Sequence, residues 1–416
     1  MKTKVKAVAL YLLSAVKWLI VAGVLGVVCG VLGYGFHHLI DLATHCRQGH
    51  PWLLLLLPIG GLVILGLYKL CRVGYDVGTN LVFTSVDHEQ TDQTDLPLLL
   101  APLIVVGTSL SHLLGASVGR EGAALQLGGS IGHNVGKCLR MKGEDVRLCA
   151  MCGMAGCFAA MFGTPLAAAI FVLEVVRVGI MRYGALLPCL TAAYTAHLTA
   201  HALGGEPMTF ALTGQIDPTA GGLVRVAGLA VLCAIVSILF CVALEGGSHL
   251  AKHHLKNPYL RIALGGAVMA ALVIGLNLYD YAGAGTPLIH QAVAGSADPW
   301  AFAVKIALTA LCVAAGYRGG EIVPTLFVGA TFGCVAAPLV GLDPGFGAAI
   351  GMIALFASVV NCPIASLFLA AEMFSTANLA PFAVAIAVAF VVSGHFGLYS
   401  SQVFHFSTVQ DVPLEQ

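Results

Sequence analysis

The residues best equipped for chemistry in this chain are carboxylates set beside glycines where apolar segments begin. The first is Glu121, in Gly119-Arg120-Glu121-Gly122-Ala123-Ala124-Leu125-Gln126. Flanking glycines let the backbone turn sharply and approach an ion closely, and the free N–H groups of the helix that follows attract an anion. The Glu121 carboxylate is itself an anion and can fill that place. Once protonated it leaves, and a substrate anion can enter, so one group can both gate an anion and carry a proton. The same features describe a helix-start Glu that only complements the dipole, and Glu121 alone does not separate the two.

Three further segments put polar atoms at a helix start inside apolar sequence. Gly316-Tyr317-Arg318-Gly319-Gly320-Glu321-Ile322-Val323-Pro324 supplies a second glycine-flanked carboxylate, with a structural cap as the alternative. Gly78-Thr79-Asn80-Leu81 opens a short segment through Val86, where the Asn80 amide could donate to an anion or simply cap its helix. Phe396-Gly397-Leu398-Tyr399-Ser400 offers the Tyr399 hydroxyl as a donor if its helix begins in the core, and an interfacial aromatic otherwise.

The elements that must hold these residues are membrane helices. Of 416 residues, 58% are apolar and 10% charged, with mean hydropathy +0.92, whereas soluble domains carry about a quarter charged residues. Runs at 7–32, 52–70, 96–116, 223–244 and 301–315 approach or exceed the roughly 20 residues that span a bilayer as a helix. None shows the alternation of a barrel strand, so the expected fold class is all-α and polytopic. Lys2, Lys4 and Lys6 precede a run too long for a signal peptide, so the first span is retained, and the positive-inside rule puts the amino terminus in the cytoplasm. Shorter segments such as 123–135, 165–176 and 363–374, punctuated by Gly and Pro, have the form of broken helices that stop inside the membrane around a binding site.

Other chemistries find little support. His37-His38 and His253-His254 are adjacent pairs on different helix faces, and no His-Glu-x-x-His motif occurs, so neither a metal site nor an enzyme is expected. Cys149 and Cys152 form an isolated pair in an Ala/Gly/Met stretch and read as packing. A formal net charge of zero gives no sign of a nucleic-acid partner, and no cofactor is implied. The charged stretches at 137–147 and 252–261 read as solvated loops.

The two halves of the chain resemble each other. Pro165 to Glu174 and Pro363 to Glu372 each place Glu nine residues after Pro, at an offset of 198 residues, and Glu121 precedes Glu321 by 200. Two matches at nearly one offset argue for duplication, and duplicated halves meeting at a midplane site are a recurring transporter architecture. The expected organisation is one membrane domain over 1–416, with a first repeat at 75–203 and the main part of a second at 299–409.

Taken in order, these motifs resemble the CLC family of chloride channels and anion/proton exchangers along nearly the whole chain. The resemblance implies two inverted repeats, a homodimer with one pore per subunit, an external gating glutamate at Glu121, and a central anion between helix starts and Tyr399. The ion-binding set it points to is Thr79, Asn80, Gly119, Arg120, Gly122, Gly320, Glu321, Ile322, Val323 and Tyr399. It also implies an inner-membrane location and, with the chain ending soon after Tyr399, no cytosolic regulatory domain.

The departures from the family pattern narrow the expectation. Chloride-handling members usually carry Gly-Ser-Gly-Ile-Pro where this chain has Gly78-Thr79-Asn80-Leu81, and Gly-x-Phe-x-Pro where it has Gly320-Glu321-Ile322-Val323-Pro324. Both changes look like the fluoride/proton antiporter branch. Chloride exchangers place an internal proton-transfer glutamate next to the position of Glu174, and Val175 stands there, which leaves Glu174 a structural role and the proton to Glu121, with Glu321 as a possible helper. Fluoride holds its water tightly and demands strong donors in exchange. The expected function is therefore export of cytoplasmic fluoride in exchange for protons across the bilayer. A chloride/proton exchanger or a passive chloride channel is the alternative.

Overall fold

A computed structural model of the protein describes residues 2–74, 78–87, 95–212 and 219–405. The first half contributes α1 (Lys2–Gly49), α2 (Leu57–Leu70), α3 (Thr79–Val86), α4 (Leu100–Leu113), α5 (Glu121–Cys138), α6 (Glu144–Phe162), α7 (Pro165–Glu174) and α8 (Leu186–Ala202). The second contributes α9 (Ala220–His254), α10 (Pro258–Gly275), α11 (Thr286–Val293), α12 (Ala301–Ala315), α13 (Ile322–Ala336), α14 (Pro344–Val360), α15 (Pro363–Phe374) and α16 (Leu379–Ser393). Two short strands, β1 (Arg177–Val178) and β2 (Val403–Phe404), pair in parallel.

Seven helices among the described residues are long and apolar enough to cross a membrane, including Lys6–Gly49, Ala220–His254 and Thr376–Ser393. They leave Leu19, Val31, Ile235, Val268 and Val391 exposed, as a lipid-facing surface requires. Others cannot span. At about 1.5 Å per residue the eight residues of α3 and the ten of α7 cover well under the roughly 30 Å hydrocarbon core. These are the broken helices expected from the Gly and Pro punctuation.

The order α5–α6–α7 recurs as α13–α14–α15, and the packing is built from the same device in each half. A side chain on Gly128 or Gly132 of α5 would collide with the α6 backbone at Gly153 or Cys149, and one on Gly329 or Gly333 of α13 with α14 at Gly351 or Gly347. Each pair of helices therefore touches backbone to backbone, and α6 and α14 are buried on nearly every face.

The Pro–Glu spacing has a direct structural meaning. Proline opens both α7 and α15, where its missing N–H costs nothing. Glu174, ending α7, accepts hydrogen bonds from the backbone N–H of Ile364 and Ala365 at the start of α15, at 3.1 and 2.8 Å. Glu372, on α15, accepts from Leu166 and Ala167 at the start of α7, both at 2.9 Å. Each helix is capped by the other's carboxylate, which satisfies helix-start amides and sets negative charge at the positive helix end. The arrangement is two-fold and antiparallel, as inverted repeats require.

Two expectations need correction. The charged stretches at 137–147 and 252–261 are mostly helical: α5 runs to Cys138, α6 starts at Glu144, α9 runs to His254 and α10 starts at Pro258. Arg147 and Arg261 are buried rather than solvated, since long basic side chains lie back along helix ends and reach nearby carboxyl or carbonyl groups, Glu144 for one and Leu255 for the other. Tyr399 begins no helix. It sits in a turn between α16 and β2. The expected repeats, 75–203 and 299–409, run in part outside the described residues.

Candidate ion site

The starts of α5 and α13 meet back to back. Gly119 N–H donates to Gly320 O at 2.5 Å and Gly320 N–H to Gly119 O at 2.8 Å, a reciprocal antiparallel bridge. A methyl on Gly119 would come to 2.9 Å from Gly320 O and 3.0 Å from the Pro324 ring. Glycine is required here because the two chains touch through their backbones. The bridge holds Glu121 and Glu321 at neighbouring helix starts, on opposite halves of the chain.

The first intrahelical bonds run from Ala124 N–H to Arg120 O in α5 and from Thr325 N–H to Glu321 O in α13. The amides of Gly122 and Ala123, and of Ile322 and Val323, come before them and are left over by helix geometry. No side chain of the residues preceding α3, α5 and α13 (Gly78, Arg120 and Glu321) caps its own helix, whereas Thr219, Asn257 and Asp343 cap α9, α10 and α14. Buried, uncapped amides at several converging helix starts make a place for an anion.

Glu121 occupies part of that place. It is 1% exposed, its Oε2 accepts from the Arg120 backbone N–H at 3.0 Å, and its Oε1 lies 3.4 Å from Arg120 Nε. Arg120 in turn donates to Asp41 of α1 at 3.0 Å. Glu321 is partly buried, and its Oε2 lies near the α5 start, 3.7 Å from where a methyl on Gly122 would stand.

Tyr399 is 5% exposed, packs edge-on against Phe83 at 4.8 Å, and buries its hydroxyl without a protein partner. Glu321 and Glu121 lie within Coulombic reach of it. Thr79 is buried and accepts from Gln126 Nε2 at 3.2 Å. Asn80 faces elsewhere: its Nδ2 donates to Ser400 Oγ at 3.1 Å, and its Oδ1 accepts from Ser401 Oγ at 2.8 Å and Ser401 N–H at 3.3 Å. Asn80 therefore ties α3 to the turn that carries Tyr399.

Gln402 completes that tie. Its Nε2 donates to Val175 O at 2.7 Å and Val360 O at 2.8 Å, the carbonyl ends of α7 and α14. Sequence reasoning passed over Gln126, Ser400, Ser401 and Gln402. Gln126 was legible as the polar residue one turn after Gly122, on the same helix face. The others depend on these contacts, with residues from 42 to 321 positions away, and leave no local signal.

Helices too short to span a bilayer, starting around paired carboxylates and an unpartnered tyrosine, define a polytopic membrane protein built to move an anion. The chain belongs to the voltage gated chloride channel family, whose family model matches residues 67–394. It is 35% identical over 393 residues, 93% of this chain and 86% of the relative, to a chloride/fluoride channel protein of Pseudomonas syringae pv. tomato. Among solved structures, a CLC-type fluoride/proton antiporter superposes with a TM-score of 0.90 at 33% identity, covering 94% of this chain and 98% of that one. A slow cyanobacterial Cl−/H+ antiporter gives 0.77 at 22% identity over 90% and 94%, which supports the fold alone. The architecture is the CLC fold of two inverted repeats meeting at an ion site.

Proposed function

We propose that this protein exports fluoride from the cytoplasm in exchange for protons, with Glu121 as gate and proton carrier. The observation that carries the reading is the pairing of Glu121 and Glu321 at bridged helix starts, beside an unpartnered Tyr399 hydroxyl. The likeness to a solved fluoride/proton antiporter supports the choice of anion.

The chemistry follows from the donors. Deprotonated Glu121 fills the anion place at the start of α5 and closes the path. Protonation removes its charge, so it leaves the helix start and fluoride replaces it there. The amides of Gly122, Ile322 and Val323, with the hydroxyls of Thr79 and Tyr399, stand in for the water that fluoride gives up. Gly119, Arg120 and Gly320 shape this site, and Asn80 acts on it by holding the Tyr399 turn. Glu321, on the opposite half, offers the proton a second resting place, because Val175 has no carboxylate to relay it. Selecting fluoride over abundant chloride needs about 1.4 kcal/mol for each tenfold preference.

The same reading makes the protein a homodimer with one path per subunit, set in the inner membrane with its amino terminus in the cytoplasm. The ion and the bilayer are its partners, with no nucleic acid, cofactor or enzymatic step. The test is fluoride efflux from proteoliposomes with simultaneous pH recording. A fluoride gradient should drive protons uphill in the opposite direction. Chloride movement without fluoride movement, or fluoride movement without protons, would replace this reading with a chloride exchanger or a passive channel.

A further inference from the structure

Gln126 is an expensive residue for a purely apolar contact. It is buried on α5, and its Oε1 has no protein partner, a cost that a leucine in the same space would avoid. Its Nε2 reaches Thr79 Oγ1 at 3.2 Å and Gly122 O at 3.4 Å. The Gly122 carbonyl only accepts, which fixes the nitrogen on that side of the amide, and the same nitrogen faces Thr79. The Thr79 oxygen is therefore the acceptor, and its proton must point elsewhere.

Where that proton can go is decided by position in the helix. Thr84 and Thr325, inside their helices, donate to carbonyls one turn earlier, Asn80 O at 2.9 Å and Glu321 O at 2.8 Å. Thr79 is the first residue of α3, so among the described residues no helical carbonyl stands one turn before it. Its oxygen lies against the α5 start: a methyl on Gly122 would sit 3.4 Å from Thr79 Oγ1, 3.0 Å from Gly320 Cα and 3.7 Å from Glu321 Oε2. The hydroxyl thus stands where both bridged helix starts and the second carboxylate converge.

We infer that Gln126 is a positioning residue that turns the Thr79 hydroxyl into a fixed donor toward the transported anion. This rests on the fluoride reading above. A small, hard anion gains most from a donor whose direction is set before it arrives, because no reorientation is then needed on binding. Gln126 acts through Thr79, without touching the ion.

The experiment compares full-length wild type, Gln126→Leu, Thr79→Val and the double variant in proteoliposomes, reading KM and kcat for fluoride, with monodispersity checked by gel filtration. Loss of one oriented hydrogen bond should raise KM for fluoride about fivefold in Gln126→Leu with kcat changed less than about twofold. Thr79→Val should raise it at least as much, and adding Gln126→Leu to Thr79→Val should change nothing further. Independent, multiplying effects would overturn the inference, as would an unchanged KM in either single variant. If Gln126→Leu does not fold, Gln126→Met takes its place, and Thr79→Val alone still decides, since a normal fluoride KM there removes the donor that Gln126 is said to set. Wild-type vesicles that carry chloride and not fluoride would instead sink the fluoride reading, and the same four variants would then be read for chloride.

Discussion

Gly119 and Gly320, some 200 residues apart in the chain, exchange a pair of backbone hydrogen bonds at the starts of α5 and α13. The exchange is symmetric and antiparallel, so the two halves are locked together at the place where Glu121 and Glu321 emerge. Gly320→Ala would drive a methyl into the Gly122 amide. Overpacking of this kind costs about 1–3 kcal/mol. We expect a lower melting temperature in detergent together with loss of fluoride flux; a stable, fully active Gly320→Ala protein would show that the bridge is dispensable.

Glu121→Gln keeps the shape of the gate and removes its proton. The gate is then permanently neutral, so whatever fluoride efflux this variant supports should carry no protons. Liposome flux with a pH electrode checks this, and unimpaired proton-coupled efflux would exclude Glu121 as the proton carrier.

Glu174 and Glu372 make reciprocal caps, so their variants should behave alike. Glu174→Ala and Glu372→Ala each leave two helix-start amides without their carboxylate; only the Ala365 amide is fully buried, so about 1–3 kcal/mol per group is an upper bound. Thermal unfolding should show both losses. Proton coupling in whatever Glu174→Gln protein remains folded should be intact, because Glu174 is held at a helix start as a cap; abolished coupling at normal stability would make it a proton relay instead.

Tyr399→Phe removes a buried hydroxyl that has no protein partner. Stability should therefore hold or rise slightly, while KM for fluoride increases several-fold. A destabilised protein with unchanged KM would mean the hydroxyl serves the fold and not the ion.

Asp95, before α4, is held below the usual carboxylate range by its hydrogen bond to Lys137 at 2.5 Å and then by His133 at 2.9 Å. A depressed carboxyl contributes stability that is fully present above its unfolded value, about 4, and is lost as pH falls through the lower folded value. Its side chain is 69% exposed, so the contribution is small. Asp95→Asn should leave the pH profile of transport unchanged between pH 5 and 8, and a shifted profile in that range would show that Asp95 acts on the ion path.

Much of this protein was readable from its order of residues. Hydropathy alone determined a helical membrane protein, because a bilayer admits few other ways to satisfy the backbone. The 198-residue offset of the Pro–Glu segments exposed the duplication, and the glycines around Glu121 and Glu321 marked where helices start. These are local properties, carried by composition and spacing. Which way each side chain points was decided only by tertiary structure. Thr79 and Asn80 are neighbours with equal claims on an anion in the sequence. A single residue step along a helix separates their directions by about 100°, so Thr79 faces Gln126 and the α5 start while Asn80 faces Ser400 and Ser401. Tyr399 looked like an interfacial aromatic until Gln402, bonded to the ends of α7 and α14, drew its turn into the core. Contacts between residues hundreds of positions apart leave no periodicity behind, and the ion site is made almost entirely of them.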